Sequence, residues 1–126
     1  MHRALILNVD DYQAARYAKT RLLINAAFRV VEAETGKEAL DLVSSLYPRL
    51  VLLDVKLPDT DGRDVCRKIK AHPTSADVLV VLTSSALISP NDVTSSRECG
   101  ADAYLAAPFQ PRDLVALVRS VISRTD

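Results

Sequence analysis

The sequence predicts an α/β fold in which five parallel strands form one sheet with helices on both faces. Two observations carry that expectation. Apolar runs of strand length recur at regular intervals, with segments of helical spacing between them. The runs are also continuous rather than alternating, as strands buried on both sides require.

The first strand is expected over residues 4–9. A helix follows through about residue 27, with Ala15, Ala18, Leu22 and Ala26 at helical spacing. Residues 29–33 form a short second strand. Thr35 and Glu38 then have the spacing of a capping box, opening a helix that buries Ala39, Leu40, Val43 and Leu46. The third strand covers residues 50–53. Its following helix carries Val65, Cys66 and Ile69 on one side, with Arg67, Lys68 and Lys70 on a solvated face. Residues 78–83 make the fourth strand. Ser89 and Pro90 have the chemistry of a helix start, and a weakly amphipathic helix is expected over residues 91–99, stopped by Gly100. The fifth strand is placed at residues 102–106. A last helix begins at Pro111 with an apolar stripe of Leu114, Leu117, Val118, Val121 and Ile122.

No linker, repeat or low-complexity tract interrupts this rhythm, so residues 1–126 are expected to form one domain. Sixteen basic residues balance sixteen acidic ones, which gives no net attraction to nucleic acid or to a membrane surface. The apolar runs are far shorter than the roughly 20 residues of a membrane span, and the N-terminus lacks the pattern of a secretory signal. Two cysteines, Cys66 and Cys99, are too few for a disulfide framework or a structural zinc site. As reduced thiols in helical segments they serve as small core hydrophobes. A cytoplasmic domain is expected. His2 and His72 lie in no motif that suggests chemistry.

The residues that suggest chemistry stand at strand ends. In open parallel sheets, function gathers at the carboxyl ends of the strands, at a topological switch point. The first strand ends in Asp10 and Asp11 and the third in Asp54. If those strands are neighbours, three carboxylates converge and raise one another's pKa unless a cation intervenes. Oxygen ligands with room for water suit Mg²⁺. Asp54 is then an anionic nucleophile beside a metal that neutralises an incoming phosphoryl group. Taken singly, each aspartate reads first as a helix cap or turn residue, and only the three together at adjacent strand ends point past that. Pro58 and Gly62 shape the loop that follows Asp54. The fourth strand ends in Thr83, Ser84 and Ser85, hydroxyls at the same sheet edge.

Together these residues resemble the receiver domain of two-component response regulators. The matching pieces are Val9, Asp10 and Asp11, the segment from Asp54 through Lys56 and Pro58 to Gly62, the hydroxyl after the fourth strand, and the run from Gly100 through Tyr104 to Pro108 and Phe109. The resemblance implies a flavodoxin-like (βα)5 sandwich with strand order 2-1-3-4-5. It implies that Asp54 accepts phosphate from a histidine kinase or phosphotransfer protein. Asp11 would bind Mg²⁺ directly, Asp10 mostly through water, and the Lys56 backbone carbonyl would complete the protein ligands. Ser84 would be the switch hydroxyl, with Thr83 the second candidate, and Tyr104 the aromatic that changes rotamer. The fourth helix, fifth strand and fifth helix would form a docking face, including for a homodimer. The stretch from Arg16 to Lys19 and that from Gly100 to Tyr104 resemble receivers attached to sensor or hybrid histidine kinases, which implies fused domains in a longer parent chain. Neither direct nucleic-acid binding nor membrane insertion is expected, and the chain is read as a phosphoacceptor rather than an enzyme.

One position departs from the family pattern. Ala107 stands where the family usually has a lysine before the proline that follows the fifth strand. Alanine offers no cation to phosphoryl oxygens, and neither Lys56 nor Arg112 is a replacement by sequence position. Moving a two-state switch from mostly off to mostly on takes about 5.5 kcal/mol of differential binding. Phosphorylation at Asp54 is therefore expected with atypical switching. One alternative is a pseudo-receiver that docks partners constitutively. Another is a hydrolase with an aspartyl nucleophile, although Lys56 stands where haloacid-dehalogenase-like phosphatases have a second aspartate. A nucleotide or flavin carrier lacks its glycine-rich phosphate cradle after the first strand.

Overall fold

A computed structural model describes residues 3–84 and 98–124. Its strands are β1 (Leu5–Val9), β2 (Arg29–Ala33), β3 (Leu50–Asp54), β4 (Leu79–Ser84) and β5 (Ala103–Ala106). All neighbouring pairs are parallel, in the order β2-β1-β3-β4-β5. The described helices are α1 (Gln13–Asn25), α2 (Gly36–Leu46), α3 (Gly62–Ala71) and α4 (Pro111–Ser123). The helix expected over residues 91–99, with its start at Ser89 and Pro90, lies outside the described residues apart from Glu98 and Cys99.

β3 explains why its run is continuously apolar. Alternate residues point to opposite faces of a strand, and both faces here are covered. Val51 and Leu53 enter the cluster built with Ala39 and Val43 of α2 and Val65 and Ile69 of α3. Leu50 and Leu52 enter the cluster with Leu23 of α1 and Leu114 and Val118 of α4. Each fully buried aliphatic side chain contributes about 1.5–3 kcal/mol relative to exposure. Cys66 and Cys99 are buried and unbridged in the first layer, as expected.

Local signals place the helices. Thr35 Oγ1 accepts the Glu38 N–H at 3.0 Å, the expected half of the capping box. Glu38 Oε1 reaches instead to the Glu34 N–H at 2.7 Å, one residue beyond the cap. At α4, Pro111 holds the first position and Asp113 accepts the Gln110 N–H at 3.1 Å. Gly100 adopts φ +90°, the left-handed conformation suited to a glycine stop.

Three expectations about faces are corrected. Leu46, the last residue of α2, is 43 % exposed. Lys70 is no solvated charge: its Nζ lies 2.8 Å from both the Val78 carbonyl and Asp102 Oδ2, tying the end of α3 to the sheet. Along α1 the buried line is Arg16, Lys19 and Leu23, whereas Ala18 is exposed and Ala15, Leu22 and Ala26 are half-buried. The helix is rotated because acceptors near the sheet draw Arg16 and Lys19 inward.

Candidate functional site

β1 lies between β2 and β3, so the chain reverses its direction of winding after β2. The crevice at that reversal opens between the carboxyl ends of β1 and β3. Asp10 follows the last residue of β1, and Asp54 is the last residue of β3. Both carboxylates are buried, whereas Asp11 is exposed. One oxygen from each of the three lies within 4.8 Å of the others. The predicted acidic cluster is thus assembled by adjacent strands.

Each member is held by local bonds. Asp10 Oδ1 accepts the Tyr12 N–H at 2.9 Å, a turn that leads into α1. Arg16 Nη1 donates to the Asp10 carbonyl at 3.0 Å, while Arg16 also pairs with Glu32 at 3.2 Å and Glu34 at 3.1 Å. Asp54 Oδ1 accepts the Lys56 N–H at 3.4 Å. The loop beyond is fastened to two helix starts. Asp59 accepts N–H groups from Gly36 at 2.8 Å and Lys37 at 3.0 Å, and Asp61 accepts from Arg63 N–H at 2.8 Å. These bonds to positive helix ends hold the Asp59 carboxyl below the usual range, Gly36 first and then Lys37. Gly62 is required by close approach: a Cβ there would collide with the carbonyl oxygen of Asp54, and its N–H donates to Val55 at 2.7 Å.

Burial pushes the Asp54 carboxyl up to about 6, and the Asp10 charge adds to the rise. A site that penalises its own ionised aspartate fits a divalent cation that would offset the penalty. A cleft of about 370 Å³ beside Asp10, Asp11, Asp54 and Lys56 leaves space for a hydrated ion, and carboxylates with water suit Mg²⁺.

Asp54 borders a second cleft of about 310 Å³, which Thr83, Ser84, Ala107 and Lys19 also line. Ser84 ends β4 opposite Ala106, and its carbonyl accepts the Ala107 N–H at 2.8 Å. Thr83, the second hydroxyl candidate, is paired in register with Asp54 and buried. Ser85 lies outside the described residues. Tyr104 lines neither cleft; it is half-buried against the α2–α3 layer. The Ala107–Pro108 peptide is cis.

Lys19 is singled out by the sequence only as part of the stretch from Arg16 to Lys19, with no role at the site. Its Nζ stands 2.9 Å from Asp10 Oδ2, with both side chains more than nine-tenths buried. Its charge opposes the rise at Asp54. The available signal is its position, four residues after Ala15 and three before Leu22, on the face those residues share.

A family model described as the response regulator receiver domain matches residues 6–119. Response regulator MprA of Mycolicibacterium vanbaalenii is 38% identical over 120 residues, covering 95% of this chain and 51% of its own. The chain spans about half the length of the curated relatives it matches. A crystal structure of a putative response regulator from Chloroflexus aurantiacus superposes with TM-score 0.92 at 29% identity, covering 98% of this chain and 100% of that one. The signal receiver domain of a signal transduction histidine kinase from Syntrophus aciditrophicus gives 0.89 at 30% identity, covering 96% and 91%. No helix among the described residues is long and apolar enough to cross a membrane.

Proposed function

The chain belongs to the response regulator receiver domain family, and from that premise we propose that Asp54 accepts a phosphoryl group from a phosphohistidine on a histidine kinase or phosphotransfer protein. The observation that carries this reading is the convergence of Asp10, Asp11 and Asp54 within 4.8 Å at the β1–β3 crevice. Asp10, Asp11 and Asp54, with the Lys56 carbonyl, would hold Mg²⁺. When bound, the ion neutralises charge on the phosphoryl oxygens during transfer. An Asp54 carboxylate oxygen attacks phosphorus in line with the departing imidazole nitrogen. The O–P bond forms as the P–N bond breaks, and the imidazole leaves with its electron pair. Ser84 donates its hydroxyl hydrogen to a phosphoryl oxygen, and Tyr104 reads out the resulting shift of the β4 end.

Ala107 makes this switch atypical, because the connection between β5 and α4 brings no cation to the phosphoryl group. The chain is a phosphoacceptor rather than an enzyme, works in the cytoplasm, and receives its signal from a separate or fused kinase. A homodimer would use β5, α4 and the segment over residues 91–99.

Incubation with acetyl phosphate and Mg²⁺, followed by intact mass, tests the reading. The expected result is one added phosphoryl group, lost with EDTA and in Asp54→Asn. An unmodified chain after incubation with both acetyl phosphate and a panel of phosphorylated histidine donors would refute it. Ala107 also favours a second reading, a constitutive docking module. Unchanged partner affinity in Asp54→Asn and with EDTA would support that one.

A further inference from the structure

A buried ammonium is costly unless paired, yet α1 directs Lys19 into the cleft beside Asp54. Ala15, Ala18 and Leu22 line the same cleft, which extends to Ala107. In the structure the ammonium is held by Asp10 at 2.9 Å. A phosphoryl group on Asp54 carries roughly two negative charges in place of the carboxylate's one, at the edge of a cleft whose wall at position 107 is a methyl group. A divalent ion held by Asp10 competes with Lys19 for the same carboxylate.

The geometry points to Lys19 as the cation for the phosphoryl group on Asp54, supplied from α1 and exchanged away from Asp10 as that carboxylate turns to the metal. The inference rests on the reading of Asp54 as phosphoacceptor and deepens it. Lys19 restrains metal binding before phosphorylation and supports the anion afterwards. Because it stands on α1, its pairing stabilises the charge without drawing in the connection between β5 and α4. Charge stabilisation is thereby separated from the movement that a cation on that connection would produce.

Calorimetric titration of the wild type, Lys19→Met and the Lys19→Met/Ala107→Lys double variant separates these roles. Mg²⁺ alone is titrated first, then beryllofluoride, a phosphoryl analogue, at saturating Mg²⁺. Lys19→Met is expected to bind Mg²⁺ about threefold or more tightly and beryllofluoride about tenfold more weakly, the opposite signs that follow from one cation serving two anions. The double variant is expected to recover the analogue affinity. A merely structural lysine would weaken both ligands together or neither, and either result overturns the inference. So does a double variant still tenfold weaker than wild type. If Lys19→Met does not fold, Lys19→Gln, which removes the charge but keeps a donor for Asp10, carries the same comparison. Wild-type protein that ignores beryllofluoride removes the phosphoacceptor reading as well, whereas a responsive wild type with an unchanged Lys19→Met removes only the role of Lys19.

Discussion

Removing the charge of Asp54 should stabilise the metal-free protein at neutral pH while abolishing phosphoacceptance. In the fold its carboxyl stands near 6 against an ordinary 3.8, chiefly through burial and then through the Asp10 charge. The ionised form is thus disfavoured by folding. Wild-type stability is unaffected well below 3.8, falls as pH rises from about 4 to 6, and is level above that. A rise of this size costs about 3 kcal/mol at pH 7.5. Water in the two flanking clefts screens part of the cost, leaving about 1–2 kcal/mol. Asp54→Asn keeps the shape and drops the charge. In EDTA at pH 7.5 its urea-unfolding free energy, followed by far-ultraviolet circular dichroism, should exceed the wild type's by about 1–2 kcal/mol. The advantage should shrink to a few tenths of a kcal/mol by about pH 4 and vanish well below 3.8, where the carboxyl is neutral in both the folded and the unfolded state. Saturating Mg²⁺ should reverse the order at pH 7.5, because the wild type gains stability from the ion in proportion to its affinity and the variant gains less. An Asp54→Asn protein no more stable than wild type in EDTA, or one whose advantage persists unchanged at pH 4, would refute the burial argument.

Three further perturbations test how the site is built. Gly62→Ala should lose about 2–4 kcal/mol in urea unfolding, since its methyl has no space beside the Asp54 carbonyl. Phosphoacceptance should fall with it, because the strand end must shift. Asp59→Ala should lower the thermal midpoint at pH 7, where the carboxylate holds the start of α2. As the Asp59 carboxyl stands below its ordinary value, its stabilising contribution is present above about pH 4 and lost on further acidification, so the two proteins should converge there. Leu52→Ala, between β3 and the α1–α4 layer, should cost about 2–5 kcal/mol by calorimetry or urea unfolding.

Much of this was legible in residue order because the signals are local. A run such as residues 50–53 can be buried only in a sheet covered on both faces, and Thr35 with Glu38 marks a helix start wherever that helix docks. Asp10, Asp11 and Asp54 were recognisable because strand ends are where an open parallel sheet gathers function. Leu46 and Lys70 were misplaced for a different reason. Helical spacing shows that a face exists, but the packing partners and the point where the helix ends decide which residues stay dry.

Lys19 shows where that boundary falls. Residue order alone settled the alternation of strands and helices and the presence of acids at two strand ends, since periodicity and turn chemistry act over a few positions. The tertiary structure decided how α1 is rolled on its sheet, and so which side chain sits beside Asp10. That choice is made by partners distant in the chain, because a buried charge is stable only where packing supplies its counter-charge.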